Sequence, residues 1–284
     1  MNLREPCLSQ GWYPRETDKI DDFLKPFAPN RLADIRTPAV IAPHAGWYYS
    51  GAPAALALSS LDKEAQTVAV IGGHLAAGMP VLVAEEDGVK TPIGVMNIDR
   101  ELRDAFRDEF SAGMSPRPDR YQDNTVEVLL PMVRYFFPQV QLLWLRFPAD
   151  ISSFQAGKLL AKSAGSLNRR VAVIGSTDLT HYGTNYGYSP RGRGKRALDW
   201  VKNVNDAAFI AALVDGDPSR ILKHAGENAA ACSAGAVLGA LGFASAGGKT
   251  SARLLDYRTS ADVHGGGEIP DSFVGYAAVA FDVA

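Results

Sequence analysis

Cysteine is scarce in this chain: Cys7 and Cys232 are the only two in 284 residues. That excludes a disulfide framework and leaves each thiol to be judged by its surroundings. An excess of charge of one sign is lacking too. Lys and Arg number 29 against 31 Asp and Glu, a net charge of -2, and so weak a bias excludes the basic footprint of a nucleic-acid protein. Long apolar runs are also missing. No segment approaches the roughly 18 apolar residues of a membrane span, and 1–7 holds no stretch that could act as a signal h-region. The expectation is a cytoplasmic protein with neither nucleic acid nor membrane among its partners.

What remains has the composition of an ordinary globular enzyme, 46% hydrophobic and 21% charged. Short β-branched apolar runs at 39–42, 67–71, 140–147, 171–174 and 274–281 alternate with helical patterns at 52–61, 100–110, 126–137, 151–166, 196–214, 218–224 and 229–241. This alternation predicts an α/β fold, a single domain over 1–284 with a mainly parallel central sheet flanked by helices. Between 79 and 98 shorter extended pieces around Glu86-Asp87-Gly88 predict an inserted β-hairpin. The Gly- and Arg-rich stretch 186–196 reads as an exposed loop, and its basic run Arg191 to Arg196 as solvated surface.

Three apolar strands run straight into histidine-bearing turns: Val40-Ile41-Ala42-Pro43-His44, Val70-Ile71-Gly72-Gly73-His74, and Val173-Ile174-Gly175-Ser176-Thr177-Asp178-Leu179-Thr180-His181. Ligands of open α/β sheets bind beyond the carboxyl ends of the strands. One histidine in such a place reads more often as a cap or polar filler than as a ligand; three together point to a metal or catalytic site. Neutral imidazole is a common ligand of zinc, copper and iron, and a thiolate would complete a three-ligand set with open positions. Cys232 is the candidate, at the entry to an apolar helix where a thiol pKa falls, although a small buried hydrophobe is an equal reading. Asp178 and His181 would share one face of a helical turn and could transfer a proton, with an N-cap role for Asp178 the competing reading. His224 at a helix end and His264 in a glycine-rich loop read as surface residues.

Several ordered blocks resemble the Memo-like proteins, also called AmmeMemoRadiSam system protein B, whose fold is similar to the class III extradiol ring-cleavage dioxygenases. They are Gly11-Trp12-Tyr13-Pro14, Ala42-Pro43-His44-Ala45-Gly46-Trp47-Tyr48-Tyr49-Ser50-Gly51, Gly72-Gly73-His74, Thr91-Pro92-Ile93-Gly94, residues 127–131, Ser176 to Gly183, and Val274-Gly275-Tyr276-Ala277-Ala278. The resemblance implies metal ligands His44, His74 and Cys232, with His181 as acid or base and Asp178 orienting it. Iron is the first expectation for the metal, with copper or zinc as alternatives, because a soft sulfur favours the latter two. The implied activity is that of a non-heme, metal-dependent, dioxygenase-like oxidoreductase acting on a small aromatic molecule.

A second reading is a metal-bearing binding or accessory protein with a pocket for a phosphotyrosine-like or other anionic aromatic group. AMMECR-type and radical S-adenosylmethionine proteins are its implied partners. A zinc hydrolase is a third reading. Trp47, Tyr48, Tyr182 and Glu127 are the substrate-binding candidates, and Tyr49 belongs to the same aromatic cluster. The chain departs from the family pattern at Asn124, where a histidine is usual, at Ser233, where the family has glycine, and at Gly73, where it has proline.

Overall fold

Apolar runs too short for helices and rich in Val, Ile and Leu are buried most readily inside a sheet covered on both faces. The computed structural model describes residues 1–28, 36–110, 115–248, 250–263 and 268–283; His264 lies outside them. In chain order the strands are β1 (Leu3–Arg4), β2 (Arg36–Ala42), β3 (Thr67–Leu75), β4 (Leu82–Val83), β5 (Gly88–Thr91), β6 (Gly94–Asn97), β7 (Arg117–Pro118), β8 (Gln141–Pro148), β9 (Val171–Ser176), β10 (His181–Gly183), β11 (Thr250–Thr259) and β12 (Ser272–Val283). The main sheet runs β10-β12-β2-β9-β3-β8-β4-β7, with β11 paired to β12. Its centre, β2-β9-β3-β8, is parallel. At the flanks β12 is antiparallel to β2, β10 and β11, and β4 is antiparallel to β8. The fold is a mixed α/β sheet with helices on both faces.

Side chains alternate across a strand, and the two faces separate cleanly. Ile41, Ile71, Leu143, Leu145 and Val173 join one core with residues of helices Ser152–Ser166 and Ala234–Ala246. Val40, Val68, Val70, Trp144 and Ile174 join the other with residues of helices Trp47–Ser60 and Leu130–Phe136. The inserted hairpin exists, but its turn lies at Pro92-Ile93, between the paired Thr91 and Gly94. Gly94 takes φ +125° there, a value that favours glycine. Among the described residues no helix is long and apolar enough to cross a membrane.

The pattern at 196–214 predicts one helix, and the structure inserts a π turn. Lys195–Trp200 passes through the π turn Val201–Asn205 into Asp206–Val214. Single π turns recur at functional sites. Here Asn205 and Asp206 both turn inward onto Thr180, the residue before His181. Asn205 Nδ2 donates to Thr180 Oγ1 at 2.8 Å. Asp206 Oδ1 accepts the Thr180 N–H at 3.2 Å and the Thr180 hydroxyl, while Oδ2 accepts the Tyr257 O–H at 2.8 Å. A Cβ at Gly275 would stand 2.0 Å from Oδ2, so only glycine leaves room for the carboxylate.

Burial pushes the Asp206 carboxyl up from 3.8 to about 6, against the hydrogen bonds that pull it down. An acid whose folded pKa lies above its unfolded value binds its proton more tightly in the fold. The cost of ionising it therefore grows as pH rises from about 4 to about 6 and is complete above that, at ~3 kcal/mol. Asp206→Asn keeps a carbonyl for the Thr180 N–H and carries no charge. In urea unfolding from pH 4 to 7, its stability relative to the unsubstituted protein is expected to rise by ~3 kcal/mol with pH. A difference constant across that range would contradict the assignment.

Candidate metal centre

β2, β9 and β3 are parallel neighbours, so their carboxyl ends emerge on one edge of the sheet. This places His44 after β2, His74 within the end of β3 and Asp178 after β9 side by side, as the topology of open sheets requires. Helix Ala234–Ala246 begins at the same edge with Ser233 as its N-cap, and Cys232 immediately precedes it. Two bonds to the turn after β9 fix that entry: Cys232 N–H to Asp178 O at 3.2 Å and Ser233 N–H to Thr177 Oγ1 at 3.2 Å.

The three expected ligands converge. One ligand atom from each of His44, His74 and Cys232 lies within 4.8 Å of the others. His44 Nε2 is 3.2 Å from Cys232 Sγ, and the two imidazoles meet edge to face at 89° with centroids 5.1 Å apart. Each ring is held from behind by its other nitrogen. His44 Nδ1 lies 2.9 Å from Ser176 Oγ, and His74 Nδ1 lies 3.0 Å from Asp123 Oδ2. In both rings Nε2 is left for a metal, the arrangement by which outer partners orient metal-binding histidines. His74 takes φ +57°, a left-handed backbone that costs a non-glycine residue ~1–3 kcal/mol and is concentrated at functional sites.

Behind His74 stands a second layer. Arg146, buried and the one charged residue of β8, donates from Nε to Gly73 O at 3.0 Å and pairs with Asp123 at 3.2 Å and Asp119 at 3.4 Å. Burial raises the Asp123 carboxyl, yet His74, Thr125 and Arg146 together hold it down at about 2. Burial likewise opposes charge on His74, but Asp123 and Cys232 lift its pKa to about 10. Burial raises the Cys232 thiol, and the two imidazoles override it, holding it well below its ordinary value. A sulfur whose pKa is lowered beside two imidazoles is a metal-binding donor set. The residues present therefore fit a single transition-metal ion.

A cavity of about 500 Å³ opens beside this cluster. It is lined by Trp12, His44, Ala45, Gly46, Tyr49, His74, Asn124, Asp178, His181, Asn185, Tyr186, Ser260, Ser272, Val274 and Tyr276. Asp178 and His181 both reach it, but from an extended segment leading into β10 rather than from a helical turn. Asp178 is not an N-cap, and it does not hold the His181 ring. Its Oδ1 accepts the His44 N–H at 2.7 Å, and Oδ2 lies 4.0 Å from His44 Nε2. His181 is oriented instead by the Leu179 carbonyl, 3.1 Å from Nδ1, and by edge contact with Tyr186. Nε2 is then the nitrogen free to exchange a proton. Asn124 donates to His44 O at 3.0 Å.

The four substrate-binding candidates stand outside the lining, three with their polar atoms committed elsewhere and one turned to solvent. Trp47 is buried and donates to Val128 O at 2.9 Å. Tyr182 stacks on Phe273 and donates to Gly192 O. Glu127 is buried, accepting from Cys7 N–H, Leu8 N–H and Tyr13 O–H at 2.8–3.0 Å. Tyr48 points to solvent, 66% exposed. The aromatic walls come from Trp12, Tyr49, Tyr186 and Tyr276. Of these, Trp12 is placed by its own carbonyl, which accepts the Trp47 N–H at 2.8 Å. His224 lies within helix Pro218–Asn228 beside Asn228. In the basic loop Arg193 pairs with Asp271, with both side chains largely exposed.

The sequence model described as Memo-like protein matches residues 4–280. A MEMO1 family protein of Methanosarcina mazei is 29% identical over 284 residues, covering 98% of this chain and 99% of that relative. A MEMO1 family protein of Pyrococcus abyssi is 28% identical over 292 residues, covering 98% of each. Among solved structures, the crystal structure of the uncharacterized protein JW3007 from Escherichia coli K12 has a TM-score of 0.49 at 12% identity. The alignment covers 86% of this chain and 99% of that one.

Proposed function

This chain belongs to the Memo-like protein family, and from that premise we propose that it is a non-heme, metal-dependent oxidoreductase of the cytoplasm, similar in fold to the class III extradiol dioxygenases. His44, His74 and Cys232 would hold iron or copper, and a small aromatic substrate would occupy the adjoining cavity. The observation that carries this reading is the convergence of two imidazoles and a thiolate, each ring anchored through its other nitrogen. Iron or copper, when bound, supplies one-electron chemistry towards dioxygen and polarises a coordinated oxygen.

The protein's own part is positioning and proton transfer. His181, with Nδ1 directed at Leu179 O, presents Nε2 to a substrate hydroxyl and takes or returns its proton. Asp178 fixes the main chain of His44, and burial raises the pKa of its carboxyl. Trp12, Tyr49, Tyr186 and Tyr276 exclude water and face an aromatic ring. Protein reconstituted under nitrogen with ferrous iron or copper and then given oxygen is expected to consume it with catechols, and the redox-inactive zinc form is expected not to. His181→Ala is expected to slow that uptake by ~100-fold or more at unchanged metal content. Absence of turnover with every metal and phenol tried would overturn the reading.

One observation favours a second reading, a metal-bearing accessory protein acting on AMMECR-type or radical S-adenosylmethionine partners. Asn124 is tied to His44 O and carries no exchangeable charge, so the cavity has one proton carrier fewer than the family pattern. Metal-dependent capture of such partners by a protein that never consumes oxygen would support it.

A further inference from the structure

Every polar atom of Thr180 is engaged. Its carbonyl accepts the Gly275 N–H at 3.0 Å, its N–H donates to Asp206 Oδ1 at 3.2 Å, and its hydroxyl donates to that oxygen while accepting from Asn205 Nδ2 at 2.8 Å. On either side, Leu179 N–H donates to Gly275 O at 2.8 Å and His181 pairs with Val274 of β12. The approach to the cavity histidine is thus clamped between a strand and the π turn.

The clamp reaches the imidazole through one peptide. The Leu179 carbonyl and the Thr180 N–H share a single planar unit, so the bond from Thr180 N–H to Asp206 also sets the direction of Leu179 O. That carbonyl faces His181 Nδ1 at 3.1 Å. A carbonyl can only accept, so it selects the imidazole tautomer with the proton on Nδ1 and the lone pair on Nε2.

The Asn205 amide has a second reach. Nδ2 also donates to Asn228 O at 2.9 Å, an oxygen that the Tyr188 O–H meets at 2.9 Å. Asn228 ends its helix, Ala229 turns the chain at φ +47°, and Cys232 follows three residues later. One buried amide ties the approach to His181 to the approach to Cys232. The other buried residues of these helices, Ala197, Val201, Phe209, Ala212 and Leu213, are apolar. Apolar groups of matching shape serve stability about as well as a buried polar pair does, so packing does not account for Asn205 and Asp206.

Resting on the reading of His181 as the cavity's proton carrier, we propose that Asp206 and Asn205 are positioning residues of the site. Asp206 sets the His181 tautomer through the Leu179–Thr180 peptide, and Asn205 locks that peptide to the loop bearing Cys232.

The test reads the ring itself. Long-range proton–nitrogen spectra of metal-free protein labelled with nitrogen-15 are recorded in alkaline buffer, where imidazole is neutral, and the His181 signals are assigned by their loss in His181→Ala. The Nδ1–H form is expected to dominate in the unsubstituted protein. Asp206→Ala and Asn205→Ala are each expected to shift the ratio towards Nε2–H by ~3–10-fold, the worth of a lost hydrogen bond. Asp206→Asn, which keeps a carbonyl for the Thr180 N–H, is expected to restore it. A purely structural role would lower the stability of the variants and leave the tautomer of the folded protein alone.

Asn205→Ala is also expected to weaken zinc ~10-fold in chelator competition. An unmoved His181 tautomer in Asp206→Ala, no recovery in Asp206→Asn, or zinc affinity unchanged in Asn205→Ala overturns the proposal. Should Asp206→Ala fail to fold, Thr180→Val, which strips the hydroxyl held by both residues, carries the same readout. Oxygen uptake enters none of these measurements. A ring that responds in a protein that never turns over a catechol overturns the oxidoreductase reading and leaves this one standing. If the protein takes no zinc, the metal reading falls and the tautomer in Asn205→Ala decides.

Discussion

Cys232→Ser is expected to weaken zinc or copper binding on the order of 1,000-fold with the fold intact. The substitution changes one atom, at a half-buried position beside the first turn of helix Ala234–Ala246. Serine preserves the volume and the main-chain bond to Asp178 O. What it removes is the thiolate, the one charged donor among the three. Outer partners alone cost metal sites ~10–100-fold when lost, which is the effect expected of Asp123→Asn behind His74; loss of a first ligand costs more. Competition against a chromophoric chelator gives the affinity, and circular dichroism checks the fold. A serine variant that binds as tightly as the unsubstituted protein would remove sulfur from the ligand set.

The same geometry separates the two thiols. Cys7 is exposed, yet burial of its sulfur and then the Glu127 carboxylate push its pKa up to about 11. Cys232 is held low by His44 and His74. Since thiolate is the reactive form, iodoacetamide at neutral pH should modify Cys232 first in metal-free protein, and bound metal should protect it. Exposure alone predicts the opposite order, so peptide mapping of the alkylated protein decides between them.

The candidate metal site was legible because its histidines end apolar strands, and strand ends in an open sheet share an edge. Cys232 was harder to read, since 188 residues separate it from His44 and only the packing of a helix against the sheet brings it there. β11 was missed because it lies at an edge: Arg253, Asp256 and Arg258 give it a solvated face and the look of a loop. The aromatic walls were misread for a geometric reason. Trp47, Tyr48 and Tyr49 follow one another at the start of a helix, where each step turns the side chain by ~100°, so one of them can face the cavity. Helix docking selects Tyr49, buries Trp47 and leaves Tyr48 outside. Tyr186 and Asn185 sit in the single 3-10 turn Thr184–Tyr186, too short to leave a periodic signal. Asp178 and His181 were paired by helical spacing, but glycine and the β-branched residues around them keep the segment extended.

Arg146→Met is the second large effect, expected to destabilise the fold by ~3–5 kcal/mol, the usual result of leaving a buried charge without its partner. The signal was present in the sequence: Leu142-Leu143-Trp144-Leu145-Arg146-Phe147 puts one charge into an apolar strand, and a charge inside a sheet needs partners. The structure supplies them from one loop, Asp119 and Asp123 between β7 and helix Asn124–Glu127, with the Gly73 carbonyl as a third acceptor. Asp119 also accepts the Trp144 indole N–H at 2.8 Å, so it is anchored even when the guanidinium is lost and cannot swing into solvent. Methionine fills the volume and isolates the loss of charge from the loss of packing. Urea unfolding at pH 7 reads the destabilisation, and adding Asp119→Asn is expected to restore part of it, because the orphaned carboxylate is then neutral. Asp123 in the single variant would lose one of the groups that hold its pKa at about 2, and its grip on His74 would slacken. Metal affinity should therefore fall by ~10-fold in the same protein. A single variant within ~1 kcal/mol of the unsubstituted protein would mean that this pair behaves like an exposed one, and that something else holds the turn carrying His74.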